Sequence, residues 1–233
     1  MAVVARSPAV VNTVPGRTLT EPDWLSARIA EMGRSWGTTE PRVSGTLWWC
    51  MVASALVEQL ACAYANDRPA PEPFLDRLDC EVRPDGGIER IRIHSVAGQG
   101  LVAAPDESGT PQETDAALGH ACAKALQETL AAVIGPVAAV SGAGVPSLWA
   151  IAADAIGNRA LDAGQPEAGV RLASEVGGKL PVPRFVDVDG RAFVRRISCC
   201  LVFEVPSCEM CTSCPKRPAA ERKLLLARLA AES

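Results

Sequence analysis

Leu47-Trp48-Trp49-Cys50-Met51-Val52-Ala53-Ser54-Ala55-Leu56-Val57-Glu58-Gln59-Leu60 is apolar on nearly every side of a helix. A helix without a polar face belongs inside a protein, so this stretch predicts a central buried helix over residues 43–65. The other elements are expected around it. Upstream, Glu21-Pro22-Asp23-Trp24 opens a short helix that runs to Met32-Gly33, because proline suits the first turn and acids suit the positive end. Residues 38–44 read as a connector and residues 1–20 as a loose, flexible tail.

Downstream, residues 67–73 form a proline-punctuated loop. Alternation of Ile91 and Ile93 with Arg90, Arg92 and His94 marks a hairpin over residues 78–96, turning at Pro84-Asp85-Gly86-Gly87. A third strand is expected at residues 101–103. Thr110-Pro111-Gln112-Glu113 reads as a capping box that starts a helix stopping at Gly135-Pro136. Ser147 caps the next helix, which reaches about Ala163. Residues 164–182 show no clear period. Phe185-Val186-Asp187-Val188 and Arg191-Ala192-Phe193-Val194 flank Asp189-Gly190, a two-residue hairpin signal, and residues 219–231 form a last helix. The expected fold is α+β and helix-dominated, with hairpins near residues 78–96 and 183–195. It divides into the tail (1–20), a mainly helical scaffold (21–182) and a C-terminal piece of hairpin, cysteine-rich segment and helix (183–233). Scaffold and C-terminal piece are expected to form one compact domain.

The chain has 233 residues, 48% of them hydrophobic, enough for a sizeable core, and only 4% aromatic with abundant alanine, which favours helix over strand. A net charge of −4 argues against a nucleic-acid partner, for which a basic face is expected. Arg6 and Pro8 interrupt the mildly apolar N-terminus, so it does not read as a signal peptide. Residues 47–57 are too short for the ~18–20 apolar residues of a membrane span. These features place the chain in the cytoplasm, with peripheral contact at the inner face of the membrane as the variant. In such a reducing compartment clustered cysteines bind metal more readily than they pair.

Five of the nine cysteines fall between positions 199 and 214, in Arg195-Arg196-Ile197-Ser198-Cys199-Cys200 and Cys208-Glu209-Met210-Cys211-Thr212-Ser213-Cys214-Pro215. A Cys-x2-Cys step brings two sulfurs to one metal through a tight turn. Adjacent cysteines point to opposite faces of a regular strand, so Cys199 and Cys200 converge only at a bend where the ladder is broken. A four-thiolate zinc site is the competing reading, and the vicinal pair suits it poorly because zinc sites use Cys-x2–4-Cys pairs at both ends. Cys50, Cys62, Cys80 and Cys122 read as small apolar filler.

The spacing Cys199-Cys200-x10-Cys211-x2-Cys214, after Arg195-Arg196-Ile197-Ser198 and before Pro215, resembles the C-terminal signature of the FhuF-type ferric-siderophore reductases. That resemblance covers about residues 190–218. It implies a [2Fe–2S] cluster on Cys199, Cys200, Cys211 and Cys214. It also implies one-electron reduction of siderophore-bound ferric iron, with ferrous iron released in the cytoplasm. Cys208 departs from the signature. It makes a Cys-x2-Cys-x2-Cys run akin to part of a ferredoxin pattern and is an alternative ligand.

One electron weakens the hold of hard oxygen ligands on iron, so such a reaction needs a redox centre and no general base. No catalytic residue beyond the cluster is expected. Gly142-Ala143-Gly144 lacks the third glycine of a dinucleotide fingerprint, so electrons come from a separate donor such as a ferredoxin or flavoprotein. The substrate is a ferric siderophore, the hydroxamate type favoured. Exposed faces of Trp48, Trp49 and Trp149 are candidates to stack on it, against core packing as the plainer role. Arg195 and Arg196 are candidates to tune the cluster or steer an anionic chelate or acidic donor, against a solvated strand edge. Lys216, Arg217, Arg222 and Lys223 read as a solvated helix face, against contact with a partner or an anionic membrane surface. Two other functional classes compete: a zinc-stapled binding or regulatory module, and a general iron–sulfur electron carrier or redox sensor.

Overall fold

The computed structural model describes residues 12–94, 111–206 and 208–232, and for residues 111–118 the backbone alone. Proline in the first turn begins α1 (Pro22–Trp36) and α2 (Pro41–Ala65), where its missing N–H costs nothing and its fixed φ suits the helix. α2 is the central helix that its sequence demands. It touches α1, α3 (Pro111–Ser141), α4 (Val145–Asp162) and α5 (Pro166–Val176). Trp48 and Trp49 are wholly buried, and their indole N–H groups donate to Gly86 O at 3.0 Å and Leu148 O at 2.8 Å. Both rings therefore bury their area without orphaning a polar atom.

The first sheet is antiparallel in the order β1 (Asn12–Pro15), β2 (Leu78–Val82), β3 (Ile88–Ile93), with Val14 opposite Cys80 and Cys80 opposite Ile91. Its β2–β3 turn packs against α1. Gly86 has φ +81°, and a Cβ there would lie 2.5 Å from Arg28 O, so conformation and space both require glycine. The second sheet is the hairpin β4 (Phe185–Val188) and β5 (Arg191–Val194), with the bounds read from sequence. Asp189 and Gly190 both have positive φ, as a type I′ turn needs. α6 (Ala219–Ala231) rests against β4.

Several expectations are corrected. Residues 12–20 are not a loose tail. They form β1 and a 3-10 turn, Gly16–Thr20, whose Leu19 is wholly buried. The third strand of the first sheet is thus β1; residues 101–103, like Thr110, lie outside the described residues. α1 runs to Trp36, α2 starts within the expected connector, and α5 occupies part of residues 164–182. α4 begins at Val145 on a Gly144 cap, leaving Ser147 inside its first turn.

α3 does not stop at Gly135-Pro136 but continues through Pro136 to Ser141. An interior proline costs about 3 kcal/mol. Val133, Ile134 and Val137 around it are all buried, and about 1.5–3 kcal/mol for each such side chain outweighs that cost. By length and composition α2 and the part of α3 from Gly119 to Ser141 are apolar enough to cross a membrane, which the sequence reading missed. Two-thirds of the α2 window (67%) is covered by the helices and sheet around it.

Candidate metal centre

The cysteine segment leaves the second hairpin at Val194. Arg195 N still donates to Arg184 O at 2.7 Å, and the next backbone donors turn to a side chain. Asp154, on α4 and 3% exposed, accepts Ile197 N–H on Oδ1 at 2.8 Å and on Oδ2 at 3.1 Å, and Ser198 N–H on Oδ2 at 3.1 Å. This carboxylate breaks the ladder and bends the chain just before Cys199 and Cys200. Leu201 follows at φ 63°, ψ 11°, a left-handed conformation that costs a leucine about 1–2 kcal/mol. Its side chain is buried, worth about 1.5–3 kcal/mol, and packing holds the strain in place. Leu201 N–H in turn points at Cys199 Sγ, 3.4 Å away.

All nine cysteines are free thiols. Four of those near the C-terminus meet in two pairs that cross between the segments. Cys199 Sγ lies 3.5 Å from Cys214 Sγ, and Cys200 and Cys211 stand close enough to act on one another's ionisation. Cys211 and Cys214 thus each lie beside one member of the vicinal couple. Arg196 Nη1 spans the second pair, 3.7 Å from Cys200 Sγ and 3.6 Å from Cys211 Sγ. Among the described residues no three His, Cys, Asp or Glu side chains gather around one metal position. Two thiol pairs side by side match a binuclear centre, with two ligands on each metal, better than one tetrahedral zinc.

The neighbouring Cys211 thiol, Val202 N–H and Arg196 pull the Cys200 thiol down to about 5 against the effect of burial, while Cys200 and burial push Cys211 up. Burial pushes Cys199 up to about 11. Arg196 stays a cation: burial works against its charge, and the Cys200 thiolate, Cys50 and Asp154 outweigh it. Burial likewise pushes the Asp154 carboxyl up, while Ile197 N–H, Ser198 N–H and Arg196 pull it down. Asp154 Oδ2 stands 3.6 Å from Arg196 Nε, an ion pair too long for a hydrogen bond. Arg196 Nε is thus buried without a hydrogen-bond partner among the described residues. A largely buried cation whose Nη1 spans the Cys200 and Cys211 thiols suits an anionic metal–sulfur group.

The second cysteine segment is anchored by basic side chains that sequence alone read as a solvated face or a partner contact. Arg217 donates to Met210 O and, at 3.3 Å, to Cys211 O; Arg222 donates to Cys214 O at 3.3 Å and to Arg217 O at 3.0 Å. Cys214 N–H closes a turn onto Cys211 O at 3.1 Å.

Arg196 is at the thiols and Arg195 is not: it is exposed and lines a shallow cleft with Arg222 and Lys223. Trp48, Trp49 and Trp149 are at most 4% exposed and offer no face to a ligand, which corrects their candidacy for stacking. Cys208 is half-buried; its N–H donates to Val205 O, and its sulfur makes no hydrogen bond to the four thiols among the described residues. Of the four cysteines read as filler, Cys80 and Cys122 are buried, Cys62 is exposed, and Cys50 lies within electrostatic reach of Cys200 and Arg196. Asp154 was invisible in the sequence. One acid within an apolar helix was its only signal.

Beside the first thiol pair lies a cavity of about 430 Å³, lined among others by Arg42, Thr46, Ser147, Ile197, Cys199 and Lys216. A larger cavity of about 490 Å³, between Phe74 and Thr129, shares no lining residue with the cysteine segment.

No curated protein matches the chain. Residues 196–216, from the arginine that spans the thiols to Lys216 at the cavity, match the family model of the FhuF 2Fe-2S C-terminal domain. This segment is a FhuF-type 2Fe-2S domain, and its cofactor is a [2Fe–2S] cluster.

Proposed function

We propose that the protein is a ferric-siderophore reductase of the cytoplasm, with Cys199, Cys200, Cys211 and Cys214 as the cluster ligands. The observation that carries the reading is the gathering of the four thiols, two of them spanned by Arg196, beside a cavity and within the matched segment. When bound, the cluster supplies a store for one electron, filled by a ferredoxin or flavoprotein and emptied onto the siderophore's ferric ion, which leaves as ferrous iron. The chain's own residues hold and tune that store. Arg196 offsets negative charge at the sulfurs, which favours the reduced state. Asp154 fixes the bend just before Cys199 and Cys200, and Arg217 and Arg222 fix the turn that presents Cys211 and Cys214. Thiols set partly at the surface leave a short path to a substrate outside.

The test is anaerobic. The purified protein is reduced with dithionite, freed of excess reductant and mixed with a ferric hydroxamate, while cluster absorption and trapped ferrous iron are followed together. Reoxidation with one ferrous ion per cluster is expected. Zinc without sulfide in the purified protein, or a cluster that ferric siderophores leave reduced, refutes the reading. Cys200→Ser is expected to abolish the cluster and Cys208→Ser to retain it, read as iron and sulfide per chain.

A further inference from the structure

We propose that the cavity beside Cys199 is the docking site for the ferric chelate and that its rim selects negatively charged chelates; this rests on the reductase reading above. The cavity is the space that joins a proposed cluster ligand to solvent. Cys199 and Ile197 line it, the first turns of α2 and α4 supply Arg42 and Ser147, and Lys216, just past the last cysteine, belongs to the lining too. A chelate seated there would lie against the Cys199–Cys214 edge, away from the Arg196 edge that α4 covers.

The rim charge is built and held. Glu204 pairs with Arg42 at 2.5 Å and with Lys216 at 3.8 Å, so one acid ties two cations of the lining. One positive charge is left over. The cations are also the more accessible partners, with side chains 48% and 50% exposed against 27% for Glu204. Lys216 is further fixed 5.0 Å over the Phe203 ring. A cluster held on these sulfurs would carry negative charge and repel an anionic ligand, and the two cations of the lining offset that repulsion where the ligand arrives. Ile197 is 38% exposed and offers an apolar contact at the same wall. The Ser147 hydroxyl is exposed and makes no hydrogen bond among the described residues, which leaves it for an oxygen-rich ligand.

Gallium(III) complexes bind like ferric ones and accept no electron, so they separate docking from reduction. The oxidised, cluster-loaded protein is titrated calorimetrically with an anionic gallium(III) tris-catecholate and with the cationic gallium(III) complex of a linear trihydroxamate. Tighter binding of the anionic probe is expected. Arg42→Glu with Lys216→Glu should weaken the anionic probe by about tenfold or more and remove the preference. Ser147→Trp, at an exposed position that tolerates bulk, should weaken both probes. Equal binding of the two probes by the wild type overturns the charge selection. Unchanged binding by Ser147→Trp and by the charge-reversed protein overturns the site. If gallium probes bind as described yet ferric chelates leave the reduced cluster reduced, the site stands and the reductase reading falls. If ferric chelates drain the cluster at wild-type rates in both variants, the reductase reading stands and the site falls.

Discussion

Asp154 does two jobs with one carboxylate: it accepts the two backbone N–H groups that bend the chain before Cys199, and it is the charge partner of Arg196. Asp154→Asn keeps the shape and removes the charge. Breaking a buried pair from one side costs about 3–5 kcal/mol, and a drop of that order in unfolding free energy is expected in urea titrations. In protein that retains the cluster, loss of a nearby negative charge favours the more negative, reduced state, so the reduction potential should rise in a redox titration. The buried thiols make a second prediction. Cys80 and Cys122 are pushed up by burial to about 12 from an ordinary value of 9.0. A raised folded-state value gives stability that is fully present below about pH 9 and lost as pH climbs towards 12. Each thiol costs about 1.4 kcal/mol per pH unit in that window. Cys122→Ala should flatten the alkaline fall in stability by that slope, measured by denaturant unfolding between pH 9 and 11; an unchanged slope refutes the burial argument. Single residues of this kind were poorly legible in sequence. The four cysteines declared themselves by spacing, whereas Asp154 and Cys50 matter only through neighbours far along the chain.

At the scale of elements, legibility followed how local the deciding physics is. α2, the β4–β5 hairpin and α6 appear almost where they were expected, because an apolar run, an Asp-Gly turn and a post-proline helix carry their own signals. β1 and the passage of α3 through Pro136 did not. β1 exists because β2 offers it an edge, and α3 continues because the core covers its last turn. Element-level anchoring also holds the site, since Arg217 fastens the backbone carbonyls of Met210 and Cys211. Hydrogen bonds from a charged donor contribute about 1.5–3 kcal/mol each. Arg217→Ala should therefore speed cluster loss by about tenfold or more, followed as decay of the visible band under a chelator, while far-ultraviolet dichroism stays the same. Equal decay rates would show that the turn holds itself.

The molecule as a whole separates a helical scaffold from the cysteine piece laid on it. Among the described residues of α6 only Leu226 is buried, while Arg222 reaches back to Cys214 O. A chain ending at Pro218 should lose little of the core and much of the site. One buried leucine amounts to about 1.5–3 kcal/mol, a melting shift below about 10 °C. Iron content should fall well below that of the full chain, and collapse of the whole fold would instead show that α6 is part of the core. The apolar central helix, the second hairpin's turn and the spacing of the four thiols are legible in the chain alone, because each is a matter of residues close together in it. Packing of the whole chain was needed to bring Cys199 to Cys214, to enclose Trp48, Trp49 and Trp149, to carry Asp154 to Ile197 across 43 positions, and to open a cavity beside Cys199. Those depend on helices packed face to face, and no local pattern encodes which distant residues packing will bring together.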